Sequence, residues 1–323
     1  MRSTLKVCAR VGRGFTLIEL LVVLVIIGVL IGILIPALGK SRASAKQLQD
    51  GTRIRSVVQA LQTWGGSHDG AYPLPSRMDR ADGTMTAAHP REKDNAGNIV
   101  SVLIQNKLLT PDQAISAAET SARIVRYEGY EFSAPKQAEV PADALWDPGF
   151  AGVPDESGVT GIGKGRKAAE GNLSFALIPP FGLRAEDWKL DTDGDSVLAA
   201  NRGVKYTRSG TTWMIHPDSA RSNALRIHGR ETVWEGNVGV SDGSIKFITR
   251  PDPEEFEFTR KVGTTSSTQL DNIFINEREN ADGENPEQEA FRGANRYVNP
   301  FSNVTVGATS GSTPEILIVP FYD

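Results

Sequence analysis

An apolar run near the N-terminus constrains this chain more than any other feature of its 323 residues. Residues 20–35 carry no charged side chain, and the apolar character extends over residues 15–38, with one acid, Glu19, and one proline, Pro36. At about 1.5 Å per residue, a helix over residues 15–38 is roughly 36 Å long, whereas the hydrocarbon core of a bilayer is about 30 Å thick. The run therefore predicts a helix that spans a membrane.

Glu19 is the one acid within this run. A carboxylate in a transmembrane helix costs about 2.5–3.5 kcal/mol on insertion scales, and such residues usually have a function and a partner. If the chain were cut after Gly14, Phe15 would carry a new α-amine four residues before Glu19, on the same helix face. The amine and the carboxylate could then neutralise each other, within one chain or between neighbours. The alternative is a glutamate at the membrane boundary that reaches toward the lipid headgroups.

The residues around this site, GFTLIE at 14–19, resemble the processing site of type IV pilins and type II secretion pseudopilins. The resemblance implies cleavage between Gly14 and Phe15 by a prepilin peptidase, and N-methylation of Phe15. It implies that Glu19 pairs with the N-terminus of a neighbouring subunit during filament assembly. It also implies that the helix bends or opens near Pro36, a residue type that removes one backbone donor.

Residues 1–14 are predicted to be the leader peptide that this cleavage removes. They contain four cations and no acid, and the apolar run follows the cleavage site, so the run would stay in the mature chain, unlike a secretory signal. The resemblance implies a single-pass protein of the bacterial inner membrane with a cytoplasmic N-terminus. Its C-terminal domain would be periplasmic and would later lie on a periplasmic or surface filament. Cys8 is the only cysteine, so no disulfide is expected in the processed chain.

The apolar pattern predicts that the first helix continues beyond the bilayer, over residues 15–64. Apolar side chains recur there at helical spacing, with polar residues such as Asp50 between them; they are Leu48, Ile54, Val57, Val58, Leu61 and Trp64. Gly65 and Gly66 supply a stop. Residues 65–323 are then predicted to form one exported, loop-rich globular domain with antiparallel strands.

The charge balance gives no support for a nucleic-acid partner. The formal net charge is −4, and removal of the four leader cations leaves 31 basic against 39 acidic side chains, a charge of −8. A protein that binds nucleic acid normally presents a basic face. We therefore expect no nucleic-acid partner.

Short strands and turns are predicted in the C-terminal domain, together with a helix over residues 99–109 that Asn98 caps. The strand candidates are residues 122–132, 172–178, 211–215 and 315–321. The clearest hairpin joins residues 232–241 to 244–249 through Asp242-Gly243, which favours a tight type I′ turn. The predicted fold class is α+β, pilin-like, with a long N-terminal helix, half transmembrane and half amphipathic, packed on an antiparallel sheet.

The same hairpin carries a second resemblance. His228, then Gly236-Asn237-Val238, then Asp242-Gly243-Ser244 are similar to the C-terminal signature of large pilin-like proteins common in planctomycete-type bacteria. In that signature a histidine precedes an Asp-Gly turn at a set distance. Thirteen residues separate His228 from Asp242 here, a longer spacing than usual. An ordinary hairpin is the alternative, and the role of His228, Asp242 and Gly243 stays open.

Three carboxylates, Asp191, Asp193 and Asp195, surround Gly194 in the manner of a calcium loop. The glycine stands at the fourth position rather than the sixth, and Arg202 occupies the twelfth position, where an EF-hand has a glutamate. Some major pseudopilins hold calcium in a loop of the globular domain. Calcium is therefore a possible cofactor, and a solvated acidic turn is the alternative.

No sequence motif points to catalysis, so we expect a protein that is not an enzyme. The glycine-rich stretch at residues 158–165 lacks the serine or threonine of a phosphate loop, and no Gly-x-Ser-x-Gly elbow or zinc-ligand spacing occurs. The four histidines are expected to be surface or hydrogen-bonding residues; they are His68, His89, His216 and His228.

Two classes of function remain. In the first, the chain is a filament subunit of a type II secretion system or a type IV pilus-like fibre. Its partners would be other pilin or pseudopilin subunits, the prepilin peptidase, inner-membrane lipid and the secretion or pilus assembly machinery. In the second, the helix is only an anchor for a periplasmic binding or enzymatic domain. A plain anchor needs neither a glycine cleavage site nor an acid within the helix, so the first class is favoured.

Overall fold

The computed structural model describes residues 15–154, 169–190, 194–209, 212–229, 231–262, 265–275, 298, 301–307 and 315–323. The chain divides into two compact units, Met1–Ala45 and Lys46–Asp323. The leader, including Cys8 and Gly14, and the glycine-rich stretch at residues 158–165 lie outside the described residues.

The first helix, α1, spans Leu17–Gly66 and contains Pro36. The prediction of one helix over residues 15–64 is confirmed to within two residues at each end. Among the described residues, α1 is the one helix long and apolar enough to cross a bilayer, and its most apolar 18 residues have a mean hydropathy of 3.2. None of those 18 residues is buried against protein. An apolar helix without protein cover is suited to lipid.

The second half of α1 buries one face in the core of the second unit. Ile54, Val57, Val58 and Leu61 are fully buried, as the helical spacing predicts. The prediction that Leu48 lies on this buried face is wrong, because Leu48 is 73% exposed. At about 100° per residue, Leu48 lies roughly 120° around the helix from Ile54 and so falls outside the buried arc.

In the described part of the chain, two further α-helices follow, α2 (Pro75–Met78) and α3 (Ala96–Gln105). Short 3₁₀ turns lie at Pro90–Lys93, Pro111–Ala114, Pro141–Asp143, Gly182–Glu186, Pro217–Ser219 and Asn223–Arg226. The strands are β1 (Phe175–Leu177), β2 (Val197–Asn201), β3 (Tyr206–Ser209), β4 (Thr212–Ile215), β5 (Gly236–Val240), β6 (Ile245–Ile248), β7 (Glu257–Val262), β8 (Thr265–Leu270), β9 (Phe301–Gly307) and β10 (Glu315–Pro320).

The main sheet has four antiparallel strands in the order β1-β2-β5-β6. Helix α1 packs on it so closely that a Cβ atom at Gly239 of β5 would lie 2.8 Å from Val58 and 2.9 Å from Ile54. The residues that the structure describes also contain three two-stranded pairs, β3-β4, β7-β8 and β9-β10. A long helix on an antiparallel sheet confirms the predicted α+β class.

Helix α3 begins three residues earlier than predicted, and its cap differs. Asn95 is the N-cap, and its side chain accepts a hydrogen bond from the backbone N–H of Asn98 at 2.9 Å. The prediction that Asn98 caps the helix is wrong, because its side chain donates instead to the Lys93 carbonyl. The earlier start places Gly97 against the backbone of Gly152. Glycine is needed there, because a Cβ atom on residue 97 would lie 2.3 Å from the amide nitrogen of Gly152.

The predicted strand at residues 122–132 does not form. One isolated bridge joins Ile124 to Gly171, and the rest of the segment is irregular. The backbone N–H of Glu131 donates to Oδ2 of Asp147 at 2.9 Å, and the hydroxyl of Tyr127 donates to the same oxygen at 3.2 Å. The Asp147 carboxylate therefore accepts the hydrogen bond of a backbone N–H, that of Glu131, which a strand would donate to a neighbouring strand.

The other strand predictions hold with shorter limits. The candidate at residues 172–178 is reduced to β1, because the N–H groups of Asn172 and Leu173 donate to loop carbonyls at Ala151 and Gly152. The candidate at residues 211–215 becomes β4, with residue 211 outside the described residues. The C-terminal candidate becomes β10, whose register shifts at Pro320, its last residue.

The predicted hairpin is confirmed as β5-β6, but its turn is not type I′. Gly243 has a φ of +84°, whereas Asp242 is not among the residues with positive φ. The N–H of Gly243 donates to the Val240 carbonyl at 2.9 Å, and the N–H of Val240 donates to the Ser244 carbonyl at 3.1 Å. This pattern fits a three-residue loop in which a type I turn is followed by a left-handed glycine.

Candidate functional site

The acid of the apolar run lies in the first turn of α1, where it belongs to a helix cap. Thr16 precedes the helix, and its backbone N–H and its hydroxyl both donate to Oε2 of Glu19 at 2.8 Å. The N–H of Glu19 in turn donates to the Thr16 hydroxyl at 3.3 Å. These reciprocal bonds form a capping box, which satisfies donors that every helix N-terminus leaves free.

Sequence analysis missed this cap, although Thr-x-x-Glu before an apolar run is its signature. Phe15 lies directly before the capping threonine and is 78% exposed. The capping box therefore stands immediately beside the residue that cleavage after Gly14 would turn into an N-terminus. Gly14 itself lies outside the described residues.

Pro36 lies within α1, and the helix is continuous across it. Nothing else in the described residues bears on the bending or opening of the helix that the resemblance implies at this position. That role of Pro36 stays a prediction.

A second group of polar residues lies where α1 meets the sheet. Nε2 of His228 lies 2.7 Å from Oδ2 of Asp50, and both side chains are almost completely buried. The side-chain amide of Asn201 donates to the same oxygen of Asp50. Because a carboxylate oxygen is an acceptor, Nε2 carries the proton in this contact.

Asn237 extends the group to the backbone of α1. Its N–H donates to Oδ1 of Asn201 at 2.7 Å, and its side-chain amide donates to the carbonyl of Gln47 at 3.2 Å. We call Asp50, Asn201, His228 and Asn237 the helix anchor. The sequence placed Asp50 among the polar residues between the apolar positions, but the structure buries it completely.

The Asp242-Gly243 turn lies against α1 further along the helix. The side-chain amide of Gln62 donates to the carbonyl of Ser241 at 2.9 Å. Hydrogen bonds from the backbone and the side chain of Ser244 hold the pKa of Asp242 below its ordinary value. The second resemblance thus involves residues that contact one helix at two points, His228 at Asp50 and the turn at Gln62.

The acidic loop lies next to this turn, because the N–H of Asp242 donates to the carbonyl of Gly194 at 3.3 Å. Asp191 and Asp193 lie outside the described residues, whereas Asp195 lies inside them. Across the part of the chain that the structure describes, no three histidine, cysteine or acidic side chains are grouped as metal ligands would be. Calcium binding at this loop stays a prediction.

The other three histidines lie apart from the helix anchor in local contacts. His68 stacks on Trp64 with ring centroids 3.9 Å apart. Nδ1 of His89 and Nδ1 of His216 each accept the backbone N–H two residues ahead at 3.2 Å, as caps of 3₁₀ turns. The expectation that the histidines are surface or hydrogen-bonding residues fits these contacts.

Residues 10–35 match the family model for the prokaryotic N-terminal methylation motif, the signal motif of type IV pilins and pseudopilins. The match includes Gly14, Phe15 and Glu19 and ends one residue before Pro36. Comparison with curated proteins and with solved structures gives no significant match. The resemblance inferred from residues 14–19 is therefore confirmed, and the motif supports a pilin-like or pseudopilin precursor.

The motif has two direct implications. It implies processing by a prepilin peptidase and assembly with other pilin subunits. Together with the uncovered apolar half of α1, it indicates that the chain is anchored in a membrane.

Proposed function

We propose that this chain is a structural subunit of a type II secretion or type IV pilus-like filament. Prepilin peptidase cleaves it after Gly14, and Phe15 is then N-methylated. Helix α1 holds the subunit in the bacterial inner membrane, with the N-terminus in the cytoplasm and the globular domain in the periplasm, until the assembly machinery moves it into the filament. The role is assembly rather than catalysis.

The observation that carries this proposal is the position of Glu19. It stands four residues after Phe15, inside the matched motif, at the start of a run without other charges. A carboxylate there is costly in lipid unless a cation compensates it. The α-amine of Phe15 in a neighbouring subunit supplies that cation, so pairing favours the assembled state and sets the axial position of each new subunit.

Replacement of Glu19 with valine tests the proposal. Because valine is apolar, Glu19→Val retains membrane insertion. Incorporation into filaments falls by about tenfold or more, because the α-amine of the neighbouring Phe15 is then left in lipid without a carboxylate partner. The measurement compares the variant in membrane and sheared-filament fractions of cells that also express the wild-type chain. Equal incorporation of variant and wild type would contradict the role of Glu19. A chain that keeps residues 1–14 in native cells would favour the anchored periplasmic domain instead.

A further inference from the structure

Helix α1 enters the globular unit at Lys46, and the first residue that it buries there is a carboxylate, Asp50. Gly51 is buried next, and apolar residues such as Ile54 and Val57 occupy buried positions after it. A buried carboxylate is tolerated only where partners compensate its lost hydration. Within the described residues, Oδ1 of Asp50 accepts no hydrogen bond, so compensation comes through Oδ2, from His228 and Asn201.

The partners of Asp50 come from distant parts of the chain. Asn201 ends β2, Asn237 lies in β5, and His228 follows the 3₁₀ turn Asn223–Arg226. His228 is 178 residues from Asp50 in the sequence. The helix anchor therefore joins the helix to two neighbouring strands and to the segment that precedes the hairpin.

The anchor fits one position of the helix. The Asn237 amide reaches the Gln47 carbonyl because Gly51 leaves space beside it, and a Cβ atom at Gly51 would lie 3.2 Å from Oδ1 of Asn237. A second contact, between Gln62 and the Ser241 carbonyl, lies twelve residues after Asp50 on α1, a rise of about 18 Å. Two polar contacts at this separation define both the axial position and the rotation of the helix.

Apolar packing alone would define the axial position and the rotation of α1 less strictly. Ile54 and Val58 pack on Gly239, a position without a side chain. Because apolar contact is not directional, a shifted helix could bury a similar apolar area there. An axial displacement of about 1.5 Å without rotation would keep the Asp50 carboxylate on the buried face but move it away from its donors. A buried polar residue that fixes the register of a helix has precedent in coiled coils.

We propose that His228 and Asp50 are positioning residues that fix the register of α1 on the sheet, and that the Asp242-Gly243 turn supports them at Gln62. This gives the histidine and the Asp-Gly turn of the C-terminal motif one shared task. The consequence for assembly rests on the proposed function: every subunit then holds the second half of α1 in the same register on its own sheet.

The test measures the position of α1 on the domain by the distance between two spin labels. The full chain in detergent carries Cys8→Ser, Leu48→Cys on α1 and Met214→Cys on β4; both labelled positions are more than half exposed. His228→Leu is the test variant, because leucine has no donor for Asp50, whereas glutamine would keep an amide N–H near the position of Nε2. His216→Leu is the matched control, since the side chain of His216 is partly exposed and caps a local 3₁₀ turn. We expect one narrow distance distribution in the parent chain and the control, and a distribution at least about twice as broad in His228→Leu. Equal widths in all three would overturn the proposal.

A second variant covers the case in which His228→Leu does not fold. Asp50→Asn combined with His228→Leu removes the buried charge, so the double variant regains a cooperative thermal transition relative to His228→Leu alone. We expect its label distribution to stay broad, because charge removal restores stability and not the register. A narrow, parent-like distribution in the double variant would overturn the proposal. Neither measurement needs a filament, so the helix anchor and the proposed function can fail separately.

Discussion

Thr16 and Glu19 form a reciprocal cap at the start of α1, with two bonds of 2.8 Å to a single carboxylate oxygen. The carboxylate thus has a partner in its own chain as well as the amine expected in a neighbouring subunit. The cap explains why an acid is favourable at the helix N-terminus. The match to the methylation motif explains why this acid stands four residues after Phe15. The two roles predict different variants to fail.

Glu19→Gln separates the cap from the charge. Glutamine serves at this position of a capping box as well as glutamate, but it carries no charge for an α-amine. We expect Glu19→Gln to insert normally and to be depleted from filaments as strongly as Glu19→Val. The measurement is the ratio of variant to wild type in sheared filaments.

Thr16→Val is the matched control for that experiment. Valine preserves the β-branched shape and removes the hydroxyl of the cap, at a cost of about 0.5–2 kcal/mol to the helix end. We expect near-normal incorporation of Thr16→Val. Depletion of Thr16→Val together with normal behaviour of Glu19→Gln would show that the acid acts only as a cap.

Gly239 is a point of close approach between the sheet and α1. A methyl group there would lie 2.8 Å from Val58 and 2.9 Å from Ile54, so Gly239→Ala should lower the free energy of unfolding by about 1–3 kcal/mol. Gly129→Ala is the control, because its added Cβ meets no atom within 4 Å. Thermal unfolding of both variants in detergent measures the difference. Equal melting temperatures would show that the helix and the sheet are further apart than described.

Arg202 is buried between two acids, Glu119 at 2.7 Å and Asp323 at 2.8 Å. Burial opposes the ionisation of Asp323, but the charge of Arg202 and hydrogen bonds from Arg202, Ser121 and Asn223 together outweigh it and lower the pKa of this carboxyl below its ordinary value of 3.8. A lowered folded-state pKa stabilises the fold above the ordinary pKa, and this stabilisation is lost as the pH falls through the folded pKa. Asp323→Asn should therefore cost about 1.5–3 kcal/mol at pH 7 and progressively less below about pH 4.

The control for Asp323 is Asp112, whose side chain forms an ion pair with Arg126 at 2.9 Å in which both side chains are more than half exposed. Asp112→Asn should cost about 0–1 kcal/mol. Chemical unfolding between pH 3 and pH 7 is the measurement. A cost for Asp323→Asn that does not depend on pH would contradict the stabilising ion pair.

Calcium binding at the acidic loop is tested by thermal unfolding with calcium and with chelator. If Asp195 is a ligand, calcium raises the melting temperature of the parent chain by at least about 2 °C, the effect of roughly 1 kcal/mol in a domain of this size. The rise should disappear in Asp195→Asn. An unchanged melting temperature in the parent chain would leave the loop as a solvated acidic turn.

The features that the sequence predicted well are local or periodic. The length of α1 followed from apolar spacing, the β5-β6 hairpin from Asp242-Gly243, and the match to the methylation motif from six adjacent residues. The segment at residues 122–132 was mistaken for a strand because the hydrogen bond from Glu131 to Asp147 cannot be inferred from residue types.

The helix anchor was missed for a related reason. Asp50 and Leu48 are both on α1, and composition alone predicts the leucine to be buried and the acid to be exposed. The fold reverses this, because His228, 178 residues away, supplies a donor for the acid. Spacing identified His228 as part of a motif, but its partner became evident only with the tertiary structure.

The mature N-terminus tests the account most directly. The account requires that residues 1–14 are removed and that the α-amine which pairs with Glu19 belongs to Phe15. Mass spectrometry of the N-terminal peptide from native membranes or filaments should find a chain that begins with N-methylated Phe15. A native chain that begins at Met1 would contradict both the processing and the amine partner of Glu19.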